Sequence, residues 1–173
     1  MSRIGNKEEF EAVNVFGTGV SNDGYAQYFT GASFLNPLTE AGKCPVFLAN
    51  VTFEPGCRNN WHIHHAKSGG GQILVCVAGR GYYQEEGNEA IEMKPGDCIN
   101  IPTGVKHWHG AAPDEWFSHL AIEVPGENGS NEWLEPVSDE VCVCNSIKQM
   151  LEASVIQLTG AFCNIKFTLL STL

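Results

Sequence analysis

Six histidines occur, and the first of them stands at position 62. Three are packed as His62-Ile63-His64-His65, two as His107-Trp108-His109, and the last is His119. In an extended segment successive side chains point to opposite faces, so His62 and His64 share one face while Ile63 and His65 take the other. His107 and His109 share a face by the same alternation. Two imidazoles on one face can grip one ion, and neutral imidazole suits manganese, iron, cobalt, nickel, copper and zinc alike. A lone histidine is more often a packed or surface residue than a ligand. Clustering reverses those odds, because burying several imidazoles in one small core costs free energy unless each is paired or coordinated. His65 points off the shared face and reads as a bystander.

Those histidines need strands to hold them. Nineteen glycines and eight prolines cut the chain into short segments. Residues 46–53, 72–78, 81–85, 90–93, 98–102 and 118–124 are each rich in β-branched or aromatic residues and bounded by Gly, Pro or Asn. Strands at close spacing with no helical period between them predict an all-β fold, an antiparallel sandwich or barrel. Glu54-Pro55-Gly56 and Lys94-Pro95-Gly96 place proline where φ near −65° is wanted and glycine where φ can be positive. Each Pro-Gly turn precedes a histidine-bearing segment, so the motif is duplicated. Residues 1–140 are expected to form one barrel domain whose first part, to about residue 45, is a leading arm with edge strands, one of them over 25–31.

Residues 141–173 form an apolar tail. From 149 onward only Glu152 and Lys166 are charged, and Met150, Leu151, Val155, Leu158 and Phe162 fall at helical spacings. Two readings stand: a helix packed on the barrel or on a partner subunit, or a segment not selected for this fold, as a shifted reading frame would give.

The length of 173 residues matches one domain, and 43% hydrophobic against 17% charged residues excludes wholesale disorder. A net charge of −10 repels phosphate backbones and anionic lipid, so no nucleic-acid or membrane partner is expected. No run of eighteen apolar residues occurs, and the first residues lack the layout of a secretory signal. Seven cysteines, an odd number without paired spacing, point to a reducing, cytoplasmic location. Cys76 and Cys98 sit in apolar runs and read as small buried hydrophobes.

The spacing of these residues resembles the cupins, small jelly-roll β-barrels with two metal-binding motifs. The first motif runs glycine, five residues, His-x-His, a short gap, usually Glu, six residues, glycine. Here Gly56 is followed by residues 57–61 and His62-Ile63-His64, and Gln72 by residues 73–78 and Gly79. The gap is longer than usual and ends in Gly69-Gly70-Gly71, expected to loop over the site rim. The second motif, glycine, five residues, Pro-x-Gly, two residues, His, is met by Gly96, Pro102-Thr103-Gly104 and His107. Two departures stand out: Gln72 takes the place of the usual Glu, and Ala111 that of a frequent Asn.

The glutamine narrows the resemblance to single-domain cupins that hold manganese with three His and one Gln. These include bacterial hydroxynitrile lyases, which cleave or form cyanohydrins. The similarity runs through residues 51–56, 107–113, 119–122 and 133–140. It implies a divalent ion, first of all Mn2+ with Fe2+, Zn2+, Ni2+ or Co2+ as others, held by His62, His64, Gln72 and His107. It also implies His119 as the base that takes the substrate's hydroxyl proton, since imidazole titrates near 6.5. His109 would contact substrate, and Ala49 and Val51 would form a small apolar wall. Glu123 stands where the lyases carry Gln. Its carboxylate, facing the same cavity, is expected to raise the basicity of His119 and to disfavour anions such as cyanide.

Three His and a Gln leave a divalent ion near +2, one unit more positive than three His and a Glu, which favours Lewis-acid chemistry. The expected function is that of a metal-dependent carbon–carbon lyase on a small hydroxy or carbonyl compound. An iron-dependent dioxygenase or isomerase, and a non-catalytic ligand- or metal-binding module, are the alternatives. An open sheet edge would be covered in a homodimer or homotetramer.

Overall fold

In the segment Gln-Ile-Leu-Val-Cys-Val-Ala-Gly every second side chain is buried, as a strand with one face on a core requires. That strand, Gln72–Gly79, is the spine of the fold. The computed structural model describes residues 5–40 and 42–139, and among them the architecture is an all-β, antiparallel barrel. Gln72–Gly79 lies between Cys98–Ile101 and Phe117–Glu123, and the sheet continues through Phe47–Phe53 and Ser33–Pro37 to Val20–Ser21. The facing sheet runs Ile91–Met93, Gly81–Glu85, Lys106–Ala111, Arg58–Asn59, Phe29–Thr30. His62–His65 joins it by pairing with Lys106–Ala111 on one side and Ser130–Trp133 on the other. Phe53, Leu74 and Phe117 from one sheet meet Tyr83, Met93 and Ala111 from the other in a single apolar core.

Both Pro-Gly turns form as expected. The Cys57 N–H donates to the Glu54 carbonyl and the Asp97 N–H to the Lys94 carbonyl, each at 2.9 Å. Gly56 and Gly96 take φ of 77° and 100°, which a side chain would oppose. Gly71, at a φ of 91°, has a second reason to be glycine: a Cβ there would lie 2.3 Å from the Ile101 carbonyl oxygen.

The leading arm differs from the expectation. A helix, Lys7–Val13, begins where the Asn6 side chain accepts the Glu8 N–H at 2.8 Å, with Glu8 and Glu9 in the first turn. Phe10, its one buried residue, stacks on Trp116 at 5.6 Å. The 25–31 segment is not one strand but a 3₁₀ turn, Asp23–Tyr28, followed by Phe29–Thr30. Here Tyr25 and Tyr28 both turn toward Trp133, which a strand's alternation would forbid. Cys76 is buried as expected, whereas Cys98 faces outward. The tail expected over 141–173 lies outside the described residues. No helix among the described residues is long and apolar enough to cross a membrane.

Candidate metal centre and its cavity

His62 and His107 are cross-strand partners in the ladder between His62–His65 and Lys106–Ala111, and their rings lie 4.1 Å apart between centroids. His64, two residues on, brings its ring to 5.2 Å from His62 and 5.5 Å from His107. Each of the three offers a nitrogen within 4.8 Å of the others'. His62 Nδ1 sits 3.0 Å from the Asn60 carbonyl and His107 Nδ1 2.9 Å from the Val105 carbonyl. A carbonyl only accepts, so both rings carry hydrogen on Nδ1 and turn a bare Nε2 toward the centre. Burial, joined by the neighbouring imidazoles, pushes His62 well below the usual histidine range. Burial also brings His107 down to about 4. Both rings are therefore neutral at pH 7, the form that ligates.

Gln72 enters from the opposite sheet. Its Nε2 donates to Glu123 Oε1 at 2.8 Å, while its Oε1 is buried without a hydrogen-bond partner. Both nitrogens of His64 and Nε2 of His107 are likewise buried and unpartnered. Buried polar atoms rarely remain so unless something absent from the chain satisfies them. Three imidazole nitrogens and an amide oxygen fit a divalent transition-metal ion.

The centre opens on a cavity of about 450 Å³. Ala49, Val51 and Ala121 form a small-residue wall, with Phe29, Phe47 and Trp133 as larger neighbours. His109 is on the wall too, and its tautomer can be read from its partners. Its backbone N–H donates to Asn59 Oδ1 at 2.9 Å, which turns the Asn59 Nδ2 to His109 Nε2, also at 2.9 Å. The His109 lone pair is thus occupied, and its Nδ1 carries the hydrogen. His119 is fully buried, off the cavity wall, and meets His109 edge-on at 4.7 Å. Neither of its nitrogens has a hydrogen-bond partner, and burial alone takes it to about 3.

Residues 49–123 match the Cupin domain family. Over 125 residues, 72% of this chain and 92% of its relative, the chain is 42% identical to the (R)-mandelonitrile lyase of Granulicella tundricola. The chain is a cupin. It resembles the bacterial hydroxynitrile lyases, as the motifs implied. In structure this cupin is similar to a cupin-like protein of Thermotoga maritima, with a TM-score of 0.64 and 40% identity over 73% of this chain and 92% of that one. The DMSP lyase DddQ of Ruegeria pomeroyi shares the fold at a TM-score of 0.51 and 20% identity, covering 71% of this chain and 59% of that one.

The fold of this cupin brings His62, His64 and His107 together and sets Gln72 beside His64 through their common neighbour Glu123. His109, Ala49, Val51 and Glu123 all line the cavity, and His119 stands behind His109 rather than on the wall. His65 stays out of the histidine cluster, 2.7 Å from Glu132, and lines the cavity together with Gly70 and Gly71. Glu123 does not act on His119: its two oxygens are engaged by Gln72 and His64, and only burial shifts His119. Sequence reasoning assigned no role to Asn59 or Trp133. Asn59 clamps His109, and Trp133 stacks on His62 at 4.8 Å while its ring also stacks on Tyr28 at 4.6 Å. Neither carries a local signal, because each meets its histidine only across a strand ladder.

Proposed function

We propose that this cupin is a metal-dependent carbon–carbon lyase that cleaves and forms cyanohydrins, with aromatic aldehydes as the carbonyl partner and Mn2+ as the resident ion. The observation that carries the reading is a cluster of buried imidazoles, with an unpartnered amide oxygen, beside a largely apolar cavity with aromatic residues in its wall. The name of the Granulicella relative supports the reaction class. A planar ring suits a cavity of small residues bounded by Phe29, Phe47 and Trp133. Cleavage removes the hydroxyl proton, turns the C–O bond into a carbonyl, and expels cyanide with the electron pair of the broken C–C bond. The removed proton ends on the cyanide as hydrogen cyanide. A divalent ion held by His62, His64, Gln72 and His107 would supply Lewis-acid chemistry beside this cavity.

His109 and His119 divide the proton work. His109 cannot accept, since Asn59 already occupies its Nε2, so it offers Nδ1–H to a substrate oxygen or nitrile nitrogen. His119 has an uncommitted ring, so of the two it is the one able to take the hydroxyl proton and return it to the leaving cyanide, which requires a substrate that reaches past His109 to a ring off the cavity wall.

Purified protein loaded with Mn2+ and assayed with mandelonitrile under nitrogen tests this. Cyanide release independent of oxygen is expected. His119→Ala should keep its metal by elemental analysis and lose turnover by at least about a hundredfold. Activity that requires oxygen would move the assignment to an iron dioxygenase. Full turnover in His119→Ala, with none in His109→Ala, would pass the shuttle role to His109.

A further inference from the structure

Two of the three clustered imidazoles have their tautomers set by the backbone. His62 donates to the Asn60 carbonyl and His107 to the Val105 carbonyl. His64 has no such carbonyl. The group that stands at its Nδ1 is Glu123 Oε2, 3.0 Å away, at ion-pair distance though off the line of a hydrogen bond. A carboxylate there favours the hydrogen on Nδ1 and leaves Nε2 bare.

The other carboxylate oxygen settles a second ambiguity. Glu123 lies directly opposite Gln72 in the ladder between Phe117–Glu123 and Gln72–Gly79. An amide can present either its oxygen or its NH2, and only the oxygen ligates. An ionised carboxylate accepts and never donates, so it binds Nε2 and turns the amide oxygen the other way. Gln72 Nε2 is indeed 2.8 Å from Glu123 Oε1, and Gln72 Oε1 is buried and unpartnered. Glu123 is partly exposed, 33% at its side chain, while the His64 ring that it faces is buried.

We propose that Glu123 is the positioning carboxylate of this metal centre. It orients Gln72 and His64 together and returns, one bond further out, the negative charge that a glutamate ligand would have supplied. The inference rests on the reading of His62, His64, Gln72 and His107 as the ligand set. It reverses one expectation from the ligand types alone: the centre with its immediate neighbour is near +1, not +2.

Metal-free protein titrated with Mn2+, with the unbound ion read by its paramagnetic resonance, measures the effect without any assay of turnover. Glu123→Gln should weaken Mn2+ binding by about ten- to a hundredfold, as loss of an outer carboxylate does. Glu123→Ala should fall in the same range, and the melting midpoints of both metal-free variants should stay near the parent's. The double exchange Gln72→Glu/Glu123→Gln puts the carboxylate on the metal with an amide behind it, and should recover binding to within about threefold of the parent. Binding in Glu123→Gln within twofold of the parent, or a double exchange as weak as the single one, would overturn the proposal. A parent that takes up no Mn2+ would overturn the ligand set beneath it, a result separable from either of those.

Discussion

Acidifying the metal-free protein from pH 7 to pH 5 should remove about 4 kcal/mol of stability through two histidines alone. His119 is fully buried with no partner for either nitrogen, and burial takes it from 6.5 to about 3. His107, buried against the other imidazoles, comes down to about 4 although the Val105 carbonyl opposes the shift. In the unfolded chain both rings titrate near 6.5 and take up protons as the pH drops below that value. In the folded chain they stay neutral until the pH approaches 4 and 3, so the unfolded state binds more protons throughout the interval. Stability is therefore complete above 6.5 and falls as the pH descends from there. At pH 5 each ring has crossed about 1.5 units of that interval, worth about 2 kcal/mol apiece. Burial shifts His62 and His109 in the same direction and steepens the loss. Urea unfolding of chelated protein at pH 7, 6 and 5 measures the slope, and His119→Gln should remove about half of the two-ring share. Equal stability at pH 7 and pH 5, or an unchanged slope in the variant, would show that these rings are not held neutral by burial.

Two further outcomes follow from single contacts. His62→Ala and His107→Ala should each abolish metal retention through gel filtration, and full metal content in both by elemental analysis would end the assignment of the centre. Phe10→Ala should cost about 3 kcal/mol in chemical unfolding, because the fully buried ring is the anchor of helix Lys7–Val13 against Trp116. A loss below about 1 kcal/mol would mean that the helix is dispensable to the barrel.

Local chemistry made much of the barrel legible. Gln72–Gly79 and Gly81–Glu85 are legible as β-branched or aromatic runs bounded by glycines; in the first every second side chain is buried, while the second buries Gly81, Tyr82 and Tyr83 together. The same alternation separates the buried His62 and His64 from the exposed His65. The Pro-Gly turns are legible because φ is a property of the residues that form them. The helix Lys7–Val13 carries a local signal, an Asn6 cap with acids behind it, but with one buried apolar anchor it is too short for periodicity to register. The 25–31 segment departs from a single strand because its aromatic residues answer to Trp133, more than a hundred residues away along the chain.

Residue types and spacing by themselves determined an all-β cupin with histidine pairs on strand faces and a glutamine at the fourth position. Only the tertiary structure decided how those groups are oriented. The Nδ1 hydrogens of His62 and His107 go to carbonyls only two residues away, but which end of Gln72 faces inward, that Asn59 occupies the lone pair of His109, and that Glu123 serves Gln72 and His64 rather than His119 depend on partners from distant parts of the chain. A hydrogen bond reports distance and angle in space, and separation along the chain carries neither.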